Sequence, residues 1–76
     1  MMRIISQDLE SDYPYESVVV SWDERFISVS PVGNVAKSMI IAGYPSEEDV
    51  KRVVARLHNT YSAGAKIFTM PQQDDL

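Results

Sequence analysis

Ser46-Glu47-Glu48-Asp49-Val50-Lys51-Arg52-Val53-Val54-Ala55-Arg56-Leu57-His58-Asn59-Thr60-Tyr61-Ser62-Ala63-Gly64 is the stretch on which the fold turns. Val50, Val53, Val54, Leu57 and Tyr61 recur at helical spacing and make one apolar stripe. Ser46 is suited to accept a hydrogen bond from a free backbone N–H of the first turn. Asp49 stands where a capping box places its acidic partner. Glu47, Glu48 and Asp49 set negative charge against the positive end of the helix dipole. Glu47–Lys51 and Glu48–Arg52 are i, i+4 pairs in the favourable order, worth roughly 0.2–0.5 kcal/mol each. Gly64 is placed to end the helix in a left-handed conformation. A helix of about 16 residues is roughly 24 Å long and matches a strand of about seven residues.

Outward from this helix the chain reads as strands. Met1 to Ile5 is a short first strand, and Gln7 to Glu16 a polar, acidic loop broken by Pro14. Ser17 to Trp22 alternates Val18, Val20 and Trp22 with Ser17, Val19 and Ser21. A two-residue turn at Asp23–Glu24 sets Trp22 opposite Arg25, Val20 opposite Ile27 and Val18 opposite Val29. This register puts Ser17, Ser21, Ser28 and Ser30 on the far face. Pro31 to Asn34 is a second turn, and Val35 to Gly43 the next strand, with Ser38, Ile40 and Ala42 joining the face of Val20 and Ile27. Lys66 to Met70 is the last strand, ended by Pro71. Residues 72–76 are expected to be loose. The expectation is one α+β domain over residues 1–76: an antiparallel β-meander with one helix on one face, in the order β-β-β-β-α-β.

Composition narrows the function classes. Seventy-six residues make one small domain that buries about 60 % of its unfolded surface. The absence of cysteine removes disulfides, thiolate nucleophiles and Cys-based zinc sites. It also favours a reducing cytoplasm. No apolar run suits a membrane span. A net charge of −4 disfavours general nucleic-acid binding.

The search for chemistry finds no catalytic constellation. His58 is the one histidine and has no assignable nucleophile or orienting partner in the sequence. Asp8, Glu10 and Asp12 repeat at every second residue, but Tyr13 and Val19 stand where a calcium-binding EF-hand loop needs Gly and Glu. The three glycines are isolated, with no phosphate-cradling loop. No metal, cofactor or catalytic residue is therefore assigned. Tyr13 and Tyr15, around Pro14, read as a lid on the core.

Two surfaces remain as candidates. Val19, Phe26, Met39 and Ile41 are expected to point away from the helix and, with Ile67, to form an apolar patch for a protein partner or a second copy. Lys51, Arg52 and Arg56 form the alternative, a basic helix face for nucleic-acid phosphates, with Lys66 nearby.

Met2-Arg3-Ile4-Ile5-Ser6-Gln7-Asp8, then Pro14-Tyr15-Glu16, Tyr44-x-Ser46-x-Glu48 and Phe68-x-Met70-Pro71, resembles a family of small bacterial and phage-associated proteins of uncharacterised function. The likeness spans nearly the whole chain. This chain has Leu9 where the family commonly has Gly, and Met70 where it commonly has an aromatic residue. The resemblance implies an accessory protein of a mobile element and supplies no site residues. The reading that results is a non-enzymatic interaction module, self-associating through the outer sheet face, with a nucleic-acid-associated regulator as the alternative.

Overall fold

The computed structural model describes residues 1–76, apart from the side chain of Val35. The described residues form six strands and one α-helix: β1 (Arg3–Ile5), β2 (Asp12–Pro14), β3 (Val18–Trp22), β4 (Phe26–Pro31), β5 (Met39–Gly43), α1 (Glu47–Ser62) and β6 (Ile67–Thr69). The fold is α+β, with the helix after the meander. The strands divide into two sheets rather than one, ordered β2-β1-β6 and β3-β4-β5. β2 lies inside the stretch expected to be loop. Asp12–Pro14 is drawn into the sheet because Tyr13 pairs with Ile4 and turns its ring onto the core. The terminal strands β1 and β6 pair with each other in parallel, Ile4 opposite Phe68.

The helix boundaries follow from the capping residues. Ser46 Oγ accepts a hydrogen bond from Asp49 N at 3.2 Å. At the other end Ala65 N donates to Thr60 O and Gly64 N to Tyr61 O, with Gly64 at φ 83°. That is a Schellman ending, and it requires a residue at ease in the left-handed region. Val50, Val53, Val54 and Leu57 are buried. Tyr61 lies at the rim, its ring 4.5 Å from that of Tyr15, which sits with Tyr13 as a lid over the core. Both sheets contribute to one apolar cluster with the helix: Met2, Ile4 and Phe68 from the first, Ile27, Val29, Ile41 and Ala42 from the second.

The β3–β4 hairpin keeps the expected faces but not the expected register. Trp22 opposes Ile27, Val20 opposes Val29 and Val18 opposes Pro31. The turn is longer by two residues because Asp23 organises it: Asp23 N donates to Phe26 O, and Asp23 Oδ1 accepts from the N–H groups of Arg25 and Phe26. A side chain that satisfies two turn amides removes the need for a glycine. A two-residue shift preserves side-chain parity, so Ile27 and Val29 still face the core.

The β4–β5 pair differs more. Phe26–Gly43 and Ile27–Ala42 are in one register, and Ser28–Ile40 and Val29–Met39 in another. Ile41 is the extra residue of a bulge, and a bulge reverses the facing of everything beyond it. Ile40 therefore moves to the outer face, and Ile41 into the core. The residues before Met39 leave the strand, with Val35–Lys37 forming a 3₁₀ turn.

Gln7 joins the two sheets. Its N–H donates to Ile41 O at 2.8 Å, and its Oε1 accepts from Gly43 N at 3.0 Å. Its Nε2 donates to Pro71 O at 3.2 Å, and its own carbonyl accepts from Gln72 Nε2 at 2.6 Å. Pro71 O also accepts from the buried Tyr44 hydroxyl at 2.8 Å. The segment 72–76, expected to be loose, is docked by these bonds and by Leu76 packing against the core.

Two predictions follow from this junction. Gln7→Ala strips Gly43 N–H and Pro71 C=O of a partner and should lower unfolding free energy by about 1–3 kcal/mol in urea denaturation. Gln7→Glu, which keeps the acceptor and loses the donor, should fall between it and wild type. Burial, opposed by nearby Arg56, pushes the Tyr44 hydroxyl up from 10.0 to about 12. The folded state thus holds this proton through a range where the unfolded chain releases it. The associated stability is complete below pH 10 and declines as pH rises toward 12. Thermal melts from pH 9 to 11.5 should show a steeper decline for wild type than for Tyr44→Phe.

Candidate functional site

The outer face of β3-β4-β5 carries Val19, Ser21, Phe26, Ser28, Ser30 and Ile40, paired across the strands as Val19–Ser30, Ser21–Ser28 and Ser28–Ile40. The Phe26 ring lies across Gly43. A Cβ at Gly43 would come within 3.1 Å of two ring atoms. The absent side chain is what lets the ring lie flat against the strand. Ile40 is 63 % exposed, and Phe26 and Met39 are also exposed. Gln7, Asp8, Phe26, Ile40 and Gly43 line a shallow concavity at this corner.

Of the five residues expected to share one apolar patch, Val19 and Phe26 are on this face. They stand four residues apart along the hairpin, roughly 13 Å, with Ser21 and Ser28 between them. Ile41 is 4 % exposed and belongs to the core, because the bulge turns it inward. Met39 falls on the side of Val29, exposed only because β5 is an outer strand. Ile67 belongs to the other sheet, beside Arg3. The patch that exists is smaller: Phe26 and Ile40. Ile40 escaped the sequence reading because strict alternation places it inward, and nothing in Met39–Gly43 signals the bulge.

A second residue also escaped it. Leu9 sits at φ 65° with its side chain 66 % exposed. The turn around it is fixed by Leu9 N donating to Ser6 O, Glu10 N to Asp8 Oδ1, and Ser11 N to Ser6 Oγ. Hydrogen bonds from the Ser6 hydroxyl and Glu10 N hold the Asp8 carboxyl below its ordinary value. The acidic run is thereby used in structure: Asp8 in the turn, Asp12 in an ion pair with Arg3 at 2.8 Å. No group of three metal-ligating side chains occurs among the described residues.

The basic helix face is charge-balanced. Lys51 pairs with Glu47 at 3.3 Å, and Arg52 lies 3.5 Å from Glu48 and 3.8 Å from Asp49. Arg56 and Lys66 have no carboxylate within ion-pair distance among the described residues. His58 is exposed, its ring edge-on to Trp22 at 6.4 Å. No helix is long and apolar enough to cross a membrane.

No family model, curated protein or solved structure matches this chain.

The Leu9 turn yields a prediction. A left-handed non-glycine residue costs about 1–2 kcal/mol, and glycine returns roughly 0.5–1 kcal/mol of that as unfolded-state entropy. Leu9→Gly should stabilise the fold by about 0.5–1 kcal/mol in chemical denaturation, with unchanged circular dichroism.

Proposed function

We propose that this protein is a small non-enzymatic interaction module that binds a protein partner through the corner formed by Phe26 and Ile40. The observation that carries the reading is Ile40: a large β-branched side chain delivered to the surface by a bulge, beside an aromatic ring laid over Gly43. Bulges that re-aim one side chain are characteristic of functional strand edges. Leu9, held in a strained conformation at the tip of the turn bordering this corner, adds a further exposed apolar group. The sequence resemblance supports a role as an accessory protein of a mobile element. The nucleic-acid reading is weaker, since Lys51 and Arg52 share their helix face with Glu47, Glu48 and Asp49, which cancel the local field.

The test is proximity cross-linking in the native host with wild type and Ile40→Glu, read by mass spectrometry. Ile40 is exposed, so the variant should keep its melting temperature within about 2 °C, as surface substitutions do. Wild type should yield a discrete cross-linked protein species that the variant loses. An identical set of species from both would overturn the assignment of this corner.

A further inference from the structure

The hydrogen bonds of the β3–β4 hairpin fix which way each backbone group of β3 points. Asp23 N donates to Phe26 O, and Val32 N donates to Ser17 O at the opposite end. With the register Val19–Ser30 and Ser21–Ser28, the odd-numbered residues direct their N–H and C=O groups toward β4. Val18, Val20 and Trp22 therefore direct theirs away from the sheet. Pro31, opposite Val18, fits this alternation because that pair demands no N–H of it. No hydrogen bond from another element reaches Val18, Val20 or Trp22 among the described residues.

The other sheet edges are occupied or short. On β5, Gln7 occupies Ile41 O and Gly43 N. β2 is three residues long, ends in Pro14 and carries the Arg3–Asp12 ion pair. β6 is also three residues long and leads into Pro71. β3 alone is five residues with no charge, no proline and no bulge, the features that ordinarily guard an edge.

We infer that β3 pairs with β3 of a second copy of this chain, antiparallel about a two-fold axis at Val20. The free groups are self-complementary in that arrangement. Val20 meets Val20 of the second copy, and Val18 meets Trp22, so three N–H and three C=O groups on each chain find partners and the two meanders become one six-stranded sheet. The side chains agree with the pairing. Trp22, 45 % exposed in the single chain, packs against Val18 of the second copy on the helix side, a large group against a small one. Val19 meets Ser21 on the outer face. The outer face expected from the sequence to self-associate lacks such a continuous surface, since serines separate Val19 from Phe26.

The test is sedimentation equilibrium of the full chain from about 5 to about 500 µM, with backbone amide exchange followed by NMR at both extremes. The mass should climb from 8.6 kDa toward twice that value. Exchange at Val18, Val20 and Trp22 should slow at least about tenfold at the higher concentration. Val20→Pro deletes an outward N–H and no β3–β4 bond, so it should remain folded and raise the dimer dissociation constant at least about tenfold. Should that variant unfold, Val19→Glu and Ser21→Lys serve instead: each alone weakens association, and the double variant, which sets opposite charges face to face across the two-fold, recovers it. A mass that stays at the monomer value throughout would overturn the inference. So would a dimer in which the Val18, Val20 and Trp22 amides exchange freely. That second outcome would place self-association elsewhere. Either outcome leaves the Phe26–Ile40 corner to its own cross-linking test.

Discussion

Gln7 ties two distant pieces of chain, β5 and the Pro71–Gln72 segment, to the end of β1, and the two-sheet architecture depends on it. Its backbone and side chain together make four hydrogen bonds, reaching β5, Pro71 and Gln72. The bulge in β5 and this clasp meet at Ile41. Ile41 is the residue left without a β4 partner, and its carbonyl, on the outer edge like Gly43 N–H, accepts from the Gln7 N–H. Closing that edge with an internal amide also removes a site of unwanted strand pairing. A three-stranded sheet with one apolar face is marginal alone, and two such sheets sharing one helix bury a common core.

The bulge also links packing to surface. One extra residue sends Ile41 into the core and Ile40 out of it. The same strand therefore supplies a core side chain and an exposed apolar side chain at adjacent positions. With Phe26 stacked over Gly43, this concentrates apolar surface at one corner instead of spreading it over the sheet. The helix follows the opposite logic. The charges of its first two turns pair among themselves, and its caps satisfy the terminal amides and carbonyls locally. The helix contributes stability and a wall for the core, and the strands contribute the surfaces on which contact with other chains is proposed.

The local elements were readable from the residues because their causes are local. Ser46, Gly64 and the stripe Val50-Val53-Val54-Leu57 act within one or two turns, and the helix lies where they place it. The hairpin faces were readable for the same reason, since parity survives a two-residue change of turn. The candidate patch was not, because its composition depended on continuing one parity through β5. Ile41 and Ile40 exchanged faces at the β5 bulge, on a strand edge closed by Gln7, thirty-four positions away from Ile41. Ile67 was grouped with Phe26 on the assumption of a single sheet. Pairing between β1 and β6 sent it to another.

The amino-acid sequence by itself determined the class of fold, the helix and its ends, the meander and the absence of cysteine chemistry. These rest on periodicity, capping and composition, which act through neighbours in the chain. The tertiary structure alone decided the split into two sheets, the strand Asp12–Pro14, the parallel closure of the ends, and which edge of the molecule stays open. Those outcomes are set by long-range backbone hydrogen bonds. The N–H and C=O groups that form them are nearly the same in every residue, so side-chain identity carries little record of their partners.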